Sequence, residues 1–167
     1  DALDRRRERA RLVRGDEEVA SLVLQSTQAL VTAVELKDAY TRGRADRVAL
    51  FAAILADEVG GIDVDRVRTA ARIMDVGKTG VPEDILNKTD RLTSEEFEAV
   101  RRHPVISWQM LRHLFRDDVV LGVARHHHER WDGKGYPDGL KGGDIPLEAR
   151  VVAVADSLDA ITSTRAF

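Results

Sequence analysis

The amino-acid sequence predicts an all-α fold, a helical bundle with one long loop rich in glycine and proline. Apolar residues recur at intervals of three and four over most of the chain, which is the period of a helix with one buried face. No segment alternates apolar and polar residues over the length of a strand. Residues 129–146 break the helical pattern and contain five of the twelve glycines and two of the four prolines. A loop of this length in a compact domain usually has a function.

The N-terminal part of the chain contains a charged segment and three predicted helices. Residues 1–18 carry six arginines among acidic residues, and we expect a helical linker from an upstream domain. The main domain is expected at residues 19–167. The second of its helices ends at Gly60, and Asp63 suits the N-cap of the third. The predicted inward positions of the first two helices are Val19, Leu22, Val23, Ser26, Leu30, Ala33, Val34, Val48, Phe51, Leu55 and Val59.

The C-terminal part is predicted to contain shorter helices followed by one long helix. Pro82 is expected at the first position of a single helical turn. The segment "TSEE" at 93–96 is a capping box that starts a helix, and Pro104 is expected to interrupt that helix directly after His103. Helical patterning resumes at 110–114 and 119–127. The core stripe of the last helix is expected to be Val151, Val154, Ala155, Leu158 and Ile161.

Composition and charge exclude several classes of protein and of site. A chain of 167 residues is long enough to bury the core of one domain. The net charge is −3, whereas a nucleic-acid-binding domain normally carries a basic stripe. The absence of cysteine excludes disulfides and thiolate chemistry, so any metal must be held by nitrogen and oxygen. No apolar run reaches the roughly 18 residues of a membrane span. We therefore expect a cytoplasmic domain that binds neither nucleic acid nor membrane.

The histidines and two aspartates predict a metal centre. All five histidines lie between His103 and His128, and three of them are consecutive. Asp75 and Asp156 interrupt apolar helical segments, where a carboxylate must be paired, bound to metal or turned to a wet cleft. Carboxylate and imidazole together suit Mn, Fe and Zn. A mixed His/Asp centre in a helical bundle suits metal-assisted phosphoester hydrolysis. The alternative for either aspartate is a position at the protein surface with no metal.

Three residues near this cluster are expected to lie outside the site. Trp131 is expected to pack at the base of the loop, and His113 lies on a charged, solvated helix face. His126 is expected to point away from its neighbours, because adjacent helical residues diverge by about 100°.

Five segments of the chain resemble the HD-GYP domains, a branch of the HD phosphohydrolases that hydrolyses the bacterial messenger cyclic di-GMP. The resemblance extends from about Val34 to Phe167 and implies a helical HD-type bundle with a signalling function. It also implies that a C-terminal part of the family follows the last residue given. The segments are "ELKDAYTRGRADRVA" (35–49), "MDVGKTGVPEDIL" (74–86), "LTSEEFEAVRRHP" (92–104), "HHERWDGKGYPDGLKGGDIPLEARVVAVAD" (127–156) and "DAITSTRAF" (159–167).

The resemblance implies the roles of individual residues. Asp75 matches the bridging aspartate and Lys78 the lysine of the same loop, and both are implied to be catalytic. Lys78 and Arg165 are implied to contact the nucleotide. The implied metal ligands are Asp75, His103, His127, His128 and Asp156. The loop of Gly135, Tyr136 and Pro137 is either a docking surface for a signalling protein or a wall of the cleft.

Two positions depart from the family pattern. Arg44 and Met74 stand where the family has histidines, which with Asp75 and Asp156 surround the first of two metal ions. Methionine is a poorly matched ligand for these ions, and arginine cannot deprotonate to become one. A guanidinium about 4 Å from a divalent cation is repelled by roughly 8 kcal/mol at an effective dielectric near 20. We therefore expect no metal at this position and at most one Fe, Mn or Zn ion, held by Asp75, His103, His127 and His128.

These departures leave different functions open. The first hypothesis is a metal-dependent cyclic di-GMP phosphodiesterase in which hydrolysis is weak or lost. The second is a non-catalytic module that binds cyclic di-GMP or docks a signalling protein. A phosphohydrolase of another nucleotide is a third interpretation. We also include a homodimer among the expected assemblies.

Arg44 leads to a structural prediction of its own. Without a metal, Asp75 and Asp156 are nearby carboxylates that lack a positive partner. A guanidinium can replace that partner, because its planar fork can donate two hydrogen bonds to one carboxylate. We predict that Arg44 pairs with Asp156 or Asp75 and that Met74 fills the volume of the lost imidazole. The alternative is that Arg44 extends into solvent and water fills the gap.

Overall fold

The structure is a computed structural model that describes residue 18 and the ranges 21–23, 25–38 and 42–163. Within these ranges the chain is helical and contains no β-strand, which confirms the all-α prediction. The predicted linker, apart from Glu18, and Arg165 lie outside the described residues. No helix in the described ranges is long and apolar enough to cross a membrane.

The helices are numbered in chain order, and two short 3-10 helices lie between them. The 3-10 helices are Val76–Gly80 and Gly142–Asp144. The α-helices are α1 (residues 25–37), α2 (Arg44–Val59), α3 (Val64–Ile73), α4 (Glu83–Leu86), α5 (Ser94–Arg101), α6 (His103–Leu111), α7 (Asp118–His126) and α8 (Leu147–Thr162).

The starts of the helices follow the capping residues in the sequence. The Asp63 carboxylate accepts hydrogen bonds from the first turn of α3, and Thr93 with Glu96 forms the predicted capping box of α5. Two proline positions differ by a residue or two from the prediction. Pro82 is the N-cap of α4 and not its first residue. The helix break lies before His103, because Pro104 occupies the first turn of α6, where a missing N–H costs nothing.

Small side chains allow the central helices to pack closely. Helix α2 packs against α3 and α8, α3 packs against α7, and α6 packs against α7 and the first 3-10 helix. Alanine occupies many of the buried positions between these helices, and a methyl side chain lets two backbones approach. The fully or nearly fully buried alanines are Ala49, Ala52, Ala53, Ala56, Ala70, Ala71, Ala124, Ala149 and Ala155.

The prediction for the buried face of α8 is partly wrong. Val151 and Ala155 are buried as expected, but Val154, Leu158 and Ile161 are exposed. The buried face is rotated toward small residues and includes Asp159. Charge pairing with α2 accounts for this orientation, as described below. In α2, Val59 is likewise exposed, because it lies in the last turn, beside the terminal Gly60.

Helix α1 contacts the segments on both sides of the predicted site. The Glu35 carboxylate accepts a hydrogen bond of 2.8 Å from the N–H of Gly43, directly before Arg44. The Lys37 ammonium donates to the carbonyl of Thr79 at 2.7 Å, directly after Lys78. These two contacts tie the start of α2 and the first 3-10 helix to the same helix.

Candidate metal centre

Four of the predicted ligands converge at one point. Asp75 follows α3, His103 begins α6, and His127 and His128 follow α7. One ligand atom from each of the four lies within 4.8 Å of the others, a spacing that could hold a metal ion. Asp156 is outside this group, because its carboxylate is bound by an arginine.

The protonation of two imidazoles is fixed by the backbone. His103 Nδ1 lies 2.8 Å from the carbonyl oxygen of Val100, and His127 Nδ1 lies 2.9 Å from that of Val123. A carbonyl oxygen only accepts, so each Nδ1 carries the proton and each Nε2 of a neutral ring presents a lone pair. The two Nε2 atoms are 3.3 Å apart and lie 3.2 and 3.6 Å from Asp75 Oδ1. Three electron-rich atoms therefore face one another, an arrangement that a cation stabilises.

The local electrostatics keep these groups in the protonation states that bind metal. Burial lowers the pKa of His103 and of His128, and the opposing effect of Asp75 does not offset it. Burial alone raises the pKa of Asp75, but the Lys78 ammonium holds that pKa well below its usual range. Neutral imidazoles and an ionised carboxylate are the ligand forms that a divalent metal requires. The residues therefore fit a bound metal ion.

Lys78 is positioned by a close contact between the first 3-10 helix and α6. Its ammonium donates to Asp75 Oδ2 at 2.7 Å, on the side of the carboxylate away from the imidazoles. Gly77 donates its N–H to the hydroxyl of Ser107 at 2.8 Å, and a Cβ at Gly77 would lie 2.1 Å from the carbonyl oxygen of His103. Only glycine permits this approach, which sets Lys78 and Asp75 relative to His103.

Arg44 occupies the side of the site where the resemblance implies the first metal. Its Nη2 donates to Asp156 Oδ1 at 2.5 Å, and its Nε lies 4.0 Å from Asp75 Oδ2. The Arg44 side chain is only 12% exposed, so the alternative of an arginine extended into solvent is wrong. The predicted pairing with Asp156 is confirmed. Met74 is 2% exposed and belongs to the hydrophobic core, as expected for a side chain that fills space.

Sequence reasoning missed a second arginine–aspartate pair beside the first. Asp159 is buried, and its Oδ1 accepts from Arg47 Nε at 2.6 Å, while Arg44 Nη1 lies 3.7 Å from its Oδ2. The spacing of these residues in the sequence could have indicated the pair. Arg44 and Arg47 are three residues apart on α2, and Asp156 and Asp159 are three apart on α8, so each pair lies on one helix face.

A cavity of about 460 Å³ opens beside the metal-binding cluster. We call it the site cavity, and its lining includes Phe97, Arg101, His127, His128, Tyr136 and Asp156. The ring of Tyr136 stacks on His128 with centroids 4.9 Å apart and an interplanar angle of 25°. Of the segment Gly135 to Pro137, Tyr136 therefore lines the cavity.

Glu129, which the sequence analysis also missed, anchors the long loop. Its side chain is buried, and its Oε1 accepts from the N–H groups of Asp138 and Gly139 at 2.7 and 3.0 Å. A Cβ at Gly135 would lie 2.4 Å from the backbone nitrogen of Arg130, so glycine is required where the loop folds back. The position of Glu129 directly after three histidines was the one feature of the sequence that could have indicated its role.

Of the predictions for the three residues expected outside the site, two are confirmed and one is wrong. His126 faces Asp138 at 3.5 Å and is not part of the Asp75 cluster, as expected. His113 is exposed, also as expected. The prediction for Trp131 is wrong: its side chain is 65% exposed, with the Arg150 guanidinium 5.6 Å from the ring centroid. The loop is held by Glu129, so it does not require a buried tryptophan.

Comparison with known proteins places these features in a family. The chain is 37% identical over 161 residues to the cyclic di-GMP phosphodiesterase response regulator RpfG of Xanthomonas campestris, covering 94% of this chain and 43% of that protein. It is 41% identical over 137 residues to a cyclic di-GMP phosphodiesterase of Thermotoga maritima, covering 80% of this chain and 37% of the relative. The chain thus spans less than half the length of either relative.

A solved structure has the same fold. Bd1817, an HDG"Y"P protein from Bdellovibrio bacteriovorus, superposes with a TM-score of 0.60 at 24% identity, over 70% of this chain and 39% of the other. The sequence model of the HD domain matches residues 28–167, which include every helix from α2 to α8 and the four clustered ligands. On this match, the chain belongs to the HD domain family.

Proposed function

We propose that this chain is an HD-GYP domain of the cyclic di-GMP phosphodiesterase type that binds one metal ion and cyclic di-GMP, and hydrolyses the nucleotide weakly or not at all. The Arg44–Asp156 pair is the observation that carries this proposal. It gives a permanent positive charge to the position at which the resemblance implies the first metal. The named activity of the relatives supports the choice of nucleotide.

One Fe, Mn or Zn ion is assigned to Asp75, His103, His127 and His128. Three imidazoles and a carboxylate match the preferences of these ions. When bound, such an ion lowers the pKa of a water ligand and polarises a phosphoryl oxygen. The clamp that two metals place on both the attacking and the leaving oxygen is absent, because Asp156 remains bound to Arg44.

Lys78 and Arg165 are assigned to the phosphates of the nucleotide. Lys78 is 13% exposed, and its ammonium lies 2.7 Å from Asp75 Oδ2, so it is one carboxylate away from a phosphate at the centre. Arg165 keeps its implied role in nucleotide contact as part of this proposal. Ammonium and guanidinium groups bind phosphate with charge-assisted hydrogen bonds that do not need the second metal.

A non-catalytic signalling module is the second candidate function, and the same pair favours it. Arg44 neutralises Asp156 in the folded chain, so the site keeps its shape without a second ion. In that case the loop of Gly135, Tyr136 and Pro137 would contact a partner protein or a second copy of the chain when nucleotide is bound at Tyr136.

Binding and turnover, measured on the same metal-loaded sample, separate these functions. Metal content is measured by mass spectrometry, binding of cyclic di-GMP by calorimetry, and hydrolysis of cyclic di-GMP by chromatography. The Thermotoga maritima relative is assayed under the same conditions as the reference. We expect about one metal per chain, measurable binding, and turnover far below that of the relative. The His103→Ala variant should lose the metal, whereas His113→Ala, at an exposed position outside the cluster, should keep it. Turnover equal to that of the relative would contradict the proposal, as would a failure to bind.

A further inference from the structure

Phe97 joins the rim of the site cavity to the metal-binding cluster through a row of aromatic rings. It lies on α5 and is 46% exposed, so one face of its ring is open to a molecule in the site cavity. Its ring meets Tyr136 edge-on, with centroids 6.4 Å apart and an interplanar angle of 80°. Tyr136 in turn stacks on His128. The row therefore leads from the cluster to a solvent-accessible aromatic face.

Arg101 lies one helical turn after Phe97 and faces the same rings. Its guanidinium carbon is 5.0 Å from the Tyr136 centroid and 5.9 Å from the Phe97 centroid. Its Nη1 donates to Glu98 at 2.6 Å, which fixes the orientation of the planar group. About a third of the side chain is exposed, so a molecule in the site cavity can reach the fork.

We propose that Phe97 and Arg101 bind one guanine base of the nucleotide, Phe97 by stacking and Arg101 by donating hydrogen bonds to O6 and N7. This inference rests on the proposed function, which puts a phosphate at the metal-binding cluster. A nucleotide held there by its phosphate must direct its base along the cavity, where Phe97 offers a face. Base–aromatic stacking of this kind is a general means of binding nucleotides outside a duplex.

The choice of guanine follows from the donors of arginine. The guanidinium has five N–H donors and no acceptor. Guanine presents two acceptors on one edge, O6 and N7, whereas adenine presents the N7 acceptor beside an amino group that also donates. Arg101 therefore matches guanine and opposes the adenine amino group. The donor groups of Arg101 and the exposed ring of Phe97 lie next to each other on α5, so one base can contact both.

The other cations and the tryptophan near the loop are less suited to this role. Arg130 also lines the site cavity, but both of its ends are bound by Asp132, at 3.0 and 2.8 Å, and its side chain is 65% exposed. Lys134 lines the cavity as well, but its ammonium lacks the planar fork of donors that an arginine offers. Trp131 lies outside the cavity lining. Within the described residues, Phe97 and Arg101 are thus the aromatic and cationic pair on the cavity rim.

Calorimetric titration of the metal-loaded chain with cyclic di-GMP tests the stacking. The Phe97→Leu variant keeps an apolar side chain but loses the ring, and we expect its Kd to rise about 5- to 100-fold. Phe97→Trp should restore the affinity. Inorganic phosphate is the probe without a base, and its binding should be the same in all three proteins. A Phe97→Leu variant that binds cyclic di-GMP as tightly as the parent overturns the assignment, as does an equal loss for phosphate.

Comparison of cyclic di-GMP with cyclic di-AMP tests the choice of base. Arg101→Met should reduce the preference for cyclic di-GMP about tenfold or more. Arg102→Met removes the same charge from the next, exposed position outside the cavity lining and should leave the preference unchanged. Equal preferences in both variants and the parent would refute the role of Arg101. If the parent binds cyclic di-GMP but the Phe97 or Arg101 variants behave like it, the base-binding assignment fails and the proposed function stands. If the parent does not bind cyclic di-GMP, the base-binding assignment and the proposed function are both overturned.

Discussion

Arg44 and Asp156 form a hydrogen-bonded ion pair, 2.5 Å long, between the first turn of α2 and the middle of α8. The guanidinium also lies 3.7 Å from Asp159 and 4.0 Å from Asp75. Three carboxylates thus surround one arginine that is 12% exposed. Removing one partner of such a pair leaves uncompensated charge, which costs more than the intact pair contributes. Arg44 is therefore expected to stabilise the metal-free fold.

The first prediction concerns the stability contributed by Arg44. Arg44→Met should lower the free energy of unfolding of the metal-free chain by about 2–4 kcal/mol, because Asp156 is left without its partner. Urea unfolding followed by circular dichroism measures this change. Arg72→Met is the matched control: Arg72 pairs with exposed Asp46, so the loss should be under about 1 kcal/mol. Equal losses in the two variants would argue against a structural role for Arg44.

The second prediction concerns Gly77. Gly77→Ala should destabilise the chain by about 1–3 kcal/mol or more, because the new methyl group would lie 2.1 Å from the His103 carbonyl oxygen. The same shift should move Lys78 and weaken metal binding, measured by titration with Mn²⁺. Gly143→Ala is the control, because a Cβ there meets nothing within 4 Å. A Gly77→Ala variant with the parent's stability and metal affinity would contradict the close contact.

The third prediction is a loss of stability as the metal-free chain is acidified. Burial lowers the pKa of His103 and His128 in the folded chain, whereas the unfolded imidazoles titrate near 6.5. As the pH falls below about 6.5, the unfolded chain takes up protons that the folded chain does not, so the free energy of unfolding decreases. Above that pH these positions are neutral in both states and contribute no pH dependence.

Urea unfolding over a pH series measures this effect, and His128→Phe isolates one residue. Phenylalanine keeps the ring that packs against Tyr136 but cannot titrate. The decrease in stability below about pH 6.5 should therefore be smaller in the variant than in the parent. An identical pH dependence in both proteins would show that the buried imidazole does not control it.

The sequence predicted the composition of the cluster better than the orientation of the helices. The ligands sit in short motifs, and the helix starts have local capping signals such as Asp63 and Thr93. The buried face of α8 could not be read from apolar periodicity, because alanines carry little signal and Asp159 is buried by its contact with Arg47 on another helix. Such pairing depends on two segments separated by more than 100 residues.

The position of Glu129 was equally inaccessible to local patterns. Its carboxylate binds backbone N–H groups nine and ten residues later, and the sequence does not specify how a loop folds back. Trp131 was predicted to pack at the base of this loop, but its side chain is exposed. Backbone hydrogen bonds to a buried carboxylate hold this loop instead.

The last prediction is that two substitutions can create a second metal site. Arg44→His combined with Met74→His should raise the metal content from about one to about two ions per chain and increase hydrolysis of cyclic di-GMP. The change frees Asp156 for a metal, and Arg47 remains bound to Asp159 at 2.6 Å, so the second carboxylate is not left unpaired. Imidazole also suits the same ions as the existing ligands. Metal analysis measures the number of ions per chain, and chromatography of the product measures hydrolysis.

The control is the double variant Arg44→Gln with Met74→Leu, which removes the guanidinium without supplying metal ligands. If this variant gains as much activity as the histidine pair, the positive charge alone suppresses hydrolysis. If neither gains a metal, the spacing of α2 and Asp75 has diverged too far for a second ion, and the binding module is the better description. Each single histidine variant should gain little, because a second ion held by Asp75 and Asp156 needs both added ligands. A clear gain of metal and activity in the histidine pair alone would establish that the two replaced residues limit catalysis.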